Sequence, residues 1–167
     1  MSGATAAARW SVVTRDAEET AAIGEVLGRA APEGALILLE GPLGAGKTTF
    51  AQGVGAGCGV RDPGTSPTYN LVLQYAGDRP FTHVDLYRLE GVAQLETLDL
   101  EDVLGGSGVT CVEWPDLLGD APAPPWARVR IAPQSGDPGQ RLLRGVLAGD
   151  GWEVVLSMLV ERRARLE

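Results

Sequence analysis

A three-layer α/β domain around a mixed, partly antiparallel central sheet is the fold class this sequence predicts, and three observations predict it. The run "ALILLE" (Ala35–Glu40) is continuously apolar, as expected of a strand buried on both faces. A glycine-rich loop follows it directly and passes into a helical pattern. Further along, two pairs of extended runs flank short Gly-, Asp- and Pro-containing turns, which adds antiparallel hairpins to the parallel part of the sheet.

Each element has its own warrant. "RWSVVTR" (Arg9–Arg15) reads as a short strand, and "DAEETAAIGEVLGRAA" opens with Asp16 and Glu19, a capping-box pattern that starts a helix. After the glycine loop, "KTTFAQGVGAGCG" predicts a helix that frays into its own glycines. "PGTSPTYNLV" (Pro63–Val72) is a loop entering a strand, and "LVLQYAGDRPFTHVDLYRL" reads as a hairpin around a Gly-Asp-Arg-Pro turn. A helical patch near Val92–Leu104 leads to "GVTCVEW" (Gly108–Trp114), a second buried strand. "PDLLGDAPAPPW" is a proline-punctuated connection, followed by a hairpin of "ARVRIAP" and "QRLLRGVLAG". "WEVVLSMLVERRARLE" closes the chain as an amphipathic helix. No internal repeat or interdomain linker interrupts this order, so residues 1–167 are read as a single domain.

Composition narrows the function. At 167 residues the chain is long enough for a core without disulfides or structural metal. The formal charge of −8 argues against a broad basic face that binds nucleic acid unaided, although Arg162, Arg163 and Arg165 form a local cluster. Any RNA involved is then expected to be held by another protein. Cys58 and Cys111 are too far apart for a paired motif and read as buried thiols in a reducing compartment. The longest apolar run falls far short of the ~20 residues of a membrane span. The Ala-rich start lacks a basic segment followed by a long apolar one. The expected location is cytoplasmic.

The glycine loop carries the chemistry. Gly41-Pro42-Leu43-Gly44-Ala45-Gly46-Lys47-Thr48 matches G-x-x-x-x-G-K-[ST] at every fixed position, between a buried strand and a helix. The fold class therefore sharpens to a three-layer P-loop NTPase fold. Glycines let consecutive N–H groups turn inward as an anion nest, and the helix N-terminus adds partial positive charge. Lys47 is the chain's only lysine; the other thirteen strongly basic residues are arginines. A compact ammonium can cross the mouth of the loop to β- and γ-phosphate oxygens, where a planar guanidinium would crowd the backbone. Thr48 supplies a hydroxyl to Mg²⁺, so the expected cofactors are a nucleoside triphosphate and Mg²⁺.

Such a site also needs acids at strand ends. Glu113 ends the run Val109–Val112 in the Walker-B place, and Asp85 follows "FTHV". Both are assigned to the Mg²⁺–water network, and which of them touches the metal directly is left open. With Lys47 they make the expected catalytic set. His83, the single histidine, shares a strand face with Asp85 and is either structural or catalytic. Arg88 is either a phosphate sensor or an internal ion-pair partner. "SPTY" (Ser66–Tyr69) is either a rigid turn or a switch whose Thr68 responds to the γ-phosphate. Trp114 is core or a contact near the nucleotide.

Taken together, "GPLGAGKTTF", "SPTYNLV", "HVDLYRL" and "VEWPDLL" resemble the TsaE (YjeE) family, over Gly41 to about Leu118. These are small bacterial P-loop ATPases needed for threonylcarbamoyladenosine beside the anticodon of tRNAs that read ANN codons. The resemblance implies that Lys47 and Thr48 are the phosphate and Mg²⁺ residues, Thr49 the neighbouring loop threonine and Thr68 the switch threonine. It implies that Asp85 and Glu113 are the two essential acids and Trp114 the tryptophan at the site; the carry-over stops there. It implies weak ATP hydrolysis in isolation and action on a complex of TsaD and TsaB, with tRNA met only indirectly. A shikimate- or nucleoside-type kinase is the alternative, but 116–128 offers prolines, glycine and acids where such kinases close an arginine-bearing lid. A GTPase is disfavoured because no N-K-x-D motif exists. A nucleotide-gated binding module with incidental hydrolysis differs from the ATPase by degree.

Overall fold

The structure is a computed structural model and describes residues 7–61, 72–87, 104, 106–119, 123 and 125–167. Among the described residues eight strands form one sheet in the order β3-β4-β5-β2-β6-β7-β1-β8. They are β1 (Ala8–Thr14), β2 (Ala35–Glu40), β3 (Val72–Tyr75), β4 (Phe81–Asp85), β5 (Val109–Glu113), β6 (Trp126–Pro133), β7 (Arg141–Ala148) and β8 (Arg165–Leu166). β4, β5, β2 and β6 run parallel at the centre, while β3 at one side and β7, β1 and β8 at the other pair antiparallel. The mixed, partly antiparallel sheet is thus as expected. The apolar run of β2 sits mid-sheet because both its faces are covered.

Alternation along β2 separates two cores. Ala35, Ile37 and Leu39 join the larger one with α1 (Ala17–Ala30), α2 (Lys47–Gly57) and α3 (Glu153–Glu161). Leu36 and Leu38 face the other way, into a smaller cluster with Val84, Leu86 and Val112 that Leu104, Trp114, Leu118 and Trp126 flank. Among the described residues all three α-helices lie on the first face. The helix expected near Val92–Leu104 lies outside the described residues except for Leu104, as do "SPTY" with Thr68, and Arg88.

Two elements depart from the sequence reading. α2 does not fray at its glycines: it continues to Gly57, because those glycines are its contact with α1. A Cβ at Gly53 or Gly57 would strike the backbone of Ala21 or Glu25, and one at Gly24 or Gly28 of α1 would strike that of Phe50 or Val54. The bare backbones therefore pack against each other, and the packing offsets the entropy that glycine costs a helix. The closing helix stops at Glu161 instead of running to the end. Arg163 adopts φ 69°, and the N–H groups of Arg163 and Ala164 return to the carbonyls of Val160 and Leu159. That is a Schellman stop with arginine in the left-handed position, and it sends the tail back as β8 against β1.

α1 begins as the sequence predicts. Asp16 accepts from the Glu19 N–H at 2.9 Å, and the Glu19 carboxylate returns one residue further out, to the Arg15 N–H at 2.8 Å.

Candidate functional site

β2 has neighbours on both sides that are reached by different connections, β5 and β6, so its C-terminal end is a switch point where an α/β sheet opens a crevice. Loop 41–46 occupies that end. Gly41, Gly44 and Gly46 have φ of 152°, 75° and 109°, and a Cβ on Gly41 would run into the Ile131 carbonyl. The turn is thus open only to glycine at its first position and strained for any other residue at the two that follow. Gly46 caps α2 with no side-chain bond, leaving first-turn N–H groups to face a ligand.

Lys47 is 5% exposed. Its Nζ donates to the Gly41 carbonyl at 2.6 Å and the Pro42 carbonyl at 2.9 Å, and the Trp114 ring covers it at 4.0 Å from the centroid. Burial pushes its ammonium below the ordinary lysine range, with Glu113 and Asp85 acting in the opposite direction. The charge is held by acceptors of its own loop, which phosphate oxygens can replace.

On the next residue, the Thr48 hydroxyl donates to Glu113 at 3.0 Å (Oε1) and 3.2 Å (Oε2). Glu113 is 3% exposed at the end of β5. Its Oε2 also lies 2.6 Å from His83 Nε2. A carboxylate so buried needs such partners, since an unpartnered one would lose its hydration without compensation. The surroundings are dry: burial first, then Glu113 and Cys58, push the Cys111 thiol well above the usual range.

Asp85 ends β4 in register with Glu113 on the adjacent parallel strand. Its Oδ1 accepts from the Tyr87 N–H at 3.0 Å. Trp114 adopts φ 57° and ψ 60° immediately after β5, and this left-handed turn swings its ring back over Lys47 and against Tyr87, 5.0 Å between centroids. Leu43, Gly44, Gly46, Lys47, Thr48, Thr49, Asp85, Tyr87, Glu113 and Trp114 line one open cleft of about 370 Å³. Of the residues expected at the site, all that are described gather at this loop. Ala45 is buried beneath it, Gly41 lies outside its lining but accepts from the Lys47 ammonium, and Thr68 lies outside the described residues.

The donor set suits a phosphate-bound divalent ion. Thr48 donates its hydrogen to Glu113, leaving its lone pairs for a cation, and the two acids stand at adjacent strand ends. Mg²⁺ is commonly held by one or two protein oxygens together with phosphate oxygens and water.

Two residues here had no functional assignment from sequence. Arg141, at the start of β7, donates through Nε to the Ala45 carbonyl at 2.7 Å and through a second nitrogen to that of Gly44 at 3.4 Å. Its remaining donors reach the carbonyls of Pro138 and Gln140. Tyr87 joins the cleft through its ring contact with Trp114. Tyr87 stands within "HVDLYRL" without a role assigned to it there, and Arg141 stands in no recognisable pattern, 96 residues from the carbonyl it holds.

Known proteins resemble this chain in sequence and in fold. A family model described as threonylcarbamoyl adenosine biosynthesis protein TsaE matches residues 14–142. The tRNA threonylcarbamoyladenosine biosynthesis protein TsaE of Bacillus subtilis is 34% identical over 152 residues, covering 90% of this chain and 92% of the relative. Its namesake from Nostoc sp. is 40% identical over 131 residues, 75% of this chain and 78% of the relative. The crystal structure of Bacillus subtilis YdiB superposes with a TM-score of 0.73 at 26% identity, over 95% of this chain and 99% of that one. A P-loop at the switch point of a mixed sheet, matched through most of its length by these relatives, makes this chain a member of the TsaE family of tRNA threonylcarbamoyladenosine biosynthesis proteins.

Proposed function

We propose that this chain binds ATP with Mg²⁺ on loop 41–48 and hydrolyses it in support of a TsaB–TsaD complex that modifies tRNA. The observation that carries the reading is the Thr48–Glu113 contact beneath a glycine loop whose lysine is buried. Backbone N–H groups from Gly44 to Thr48 would cradle the phosphates, and Lys47 would exchange its two carbonyl acceptors for phosphate oxygens. Thr48, Glu113 and Asp85 would hold Mg²⁺, which when bound neutralises phosphate charge and polarises the bond to be broken. Glu113 and Asp85 offer acceptors that orient an attacking water, Thr49 extends the cradle, and Thr68 would answer to the γ-phosphate. Trp114 closes the wall over Lys47. The tRNA is met through the partners, in keeping with the chain's formal charge of −8.

The test is phosphate release from Mg–ATP by the wild-type chain and by Lys47→Ala, each alone and with TsaB and TsaD. Wild-type turnover should rise on adding the partners, and Lys47→Ala should show none in either setting. Unchanged turnover in Lys47→Ala would remove the assignment of the loop. A flat response to TsaB and TsaD would favour the small-kinase or binding-module reading.

A further inference from the structure

His83 stands out among the described residues as a fully buried titratable side chain aimed at the metal-side acid. It is 2% exposed on β4, between the Phe81 ring, 6.3 Å away and stacked, and the carboxylate of Glu113 on β5. Its buried ring N–H needs an acceptor, and the one it meets is the Glu113 carboxylate, 2.6 Å away. A metal-side carboxylate in turn needs something to choose its rotamer. Thr48 reaches both oxygens of Glu113 and does not select between them, at 3.0 and 3.2 Å. His83 touches Oε2 alone, which pins one oxygen to the sheet and turns the other toward Thr48 and the cleft.

We infer that His83 is a positioning residue: its Nε2–H fixes the Glu113 carboxylate, and through it the Thr48 hydroxyl, in the orientation that receives Mg²⁺. The carboxylate accepts only, so the hydrogen of this contact belongs to Nε2. The same logic holds the Thr48 hydrogen on Glu113 and leaves that hydroxyl's lone pairs facing the cleft. The relay His83–Glu113–Thr48 thus ties the centre of the sheet to the first turn of α2. His83 lines no part of the cleft itself and touches no reacting atom. The assignment rests on the Mg–ATP reading above.

Two variants test it. His83→Leu keeps an apolar side chain in the core and removes the donor; His83→Gln restores an N–H of similar reach. The readouts are thermal melting, ATP affinity by titration calorimetry with Mg²⁺ and with EDTA, and steady-state turnover. Losing an outer partner of a metal ligand commonly costs 10- to 100-fold. His83→Leu should therefore lose roughly that factor in kcat and lose most of the gain in ATP affinity that Mg²⁺ brings, with KM rising by no more than that gain. Affinity in EDTA should not move, and His83→Gln should recover most of both losses. A His83→Leu chain with wild-type kcat and Mg²⁺ response overturns the inference. So does His83→Gln as impaired as His83→Leu, or loss of ATP binding in EDTA in step with a fallen melting temperature. A wild type that binds ATP with an Mg²⁺ gain but does not turn over removes the ATPase reading alone, and the affinity arms still decide for His83. A wild type that binds no ATP removes both.

Discussion

Arg141 explains how a loop of glycines keeps one shape. The carbonyls of Ala45 and Gly44 must point away from the cleft if the N–H groups are to point into it, and the Arg141 guanidinium gathers those carbonyls from outside. Its other donors tie down Pro138 and Gln140, so one side chain sets the loop against the β6–β7 turn. Hydrogen bonds to a charged donor contribute about 1.5–3 kcal/mol each. Arg141→Ala is therefore expected to weaken ATP binding roughly tenfold, the loss of about 1.4 kcal/mol. Arg141→Lys should not restore it, since a single ammonium cannot span the same carbonyls. Calorimetric titration of both variants checks this, and an affinity unchanged in Arg141→Ala would show that the loop holds its shape unaided. The contrast with Lys47 and Thr48 shows what sequence can carry. Those two are legible because chain neighbours make their site, and spacing is preserved in one dimension. Arg141 meets its carbonyl across 96 residues, and His83 meets Glu113 across 30. Only the folded sheet brings such pairs together, and arginine or histidine on a strand has too many other uses to betray them.

At the scale of elements, the α1–α2 pair sets local propensity against packing. Each helix offers two glycines four residues apart, Gly24 and Gly28 on α1 and Gly53 and Gly57 on α2, and each glycine meets backbone of the other helix. Read one helix at a time, these glycines argue for fraying; read as a pair, they form the seam that holds α2, and the loop at its start, against the rest of the domain. Hence the hairpins, β2 and the start of α1 were legible, being local patterns, while the extent of α2 and the early stop of α3 were not. Gly28→Ala decides between the two influences by sign. Propensity alone would stabilise by up to about 1 kcal/mol. The added methyl would instead meet the Val54 carbonyl, a backbone atom that cannot turn aside, and overpacking of this kind costs about 1–3 kcal/mol. The melting temperature is expected to fall by roughly 2–12 °C for a chain of this size. A rise on thermal denaturation would mean that the helices separate at little cost and that the seam is incidental.

For the molecule as a whole, the question is how a chain with net charge −8 and a buried lysine, histidine and glutamate stays closed around its site. The larger core answers it, running unbroken from Trp10 and Leu143 through Ile37 and Phe50 to Cys111, with no disulfide. Both thiols lie inside that core, Cys58 against the Gly28 carbonyl and Cys111 mid-strand in β5. Burial, above all, raises the Cys58 thiol from 9.0 to about 11. As pH climbs from about 9 towards 11 the unfolded chain releases that proton while the native one keeps it, so the native state binds more protons and stability falls with rising pH. Cys111, raised for the same reason, acts in the same sense. Reagents reach a thiolate only where one forms, so a maleimide should leave both cysteines unlabelled at pH 8 in the native protein and label both once guanidinium unfolds it. The guanidinium midpoint should be lower at pH 10.5 than at pH 8, and Cys58→Ala should shrink that difference. Rapid native labelling of either thiol, or a pH response that Cys58→Ala leaves intact, would mean that the core between α1, α2 and the sheet opens to water far more readily than its packing implies.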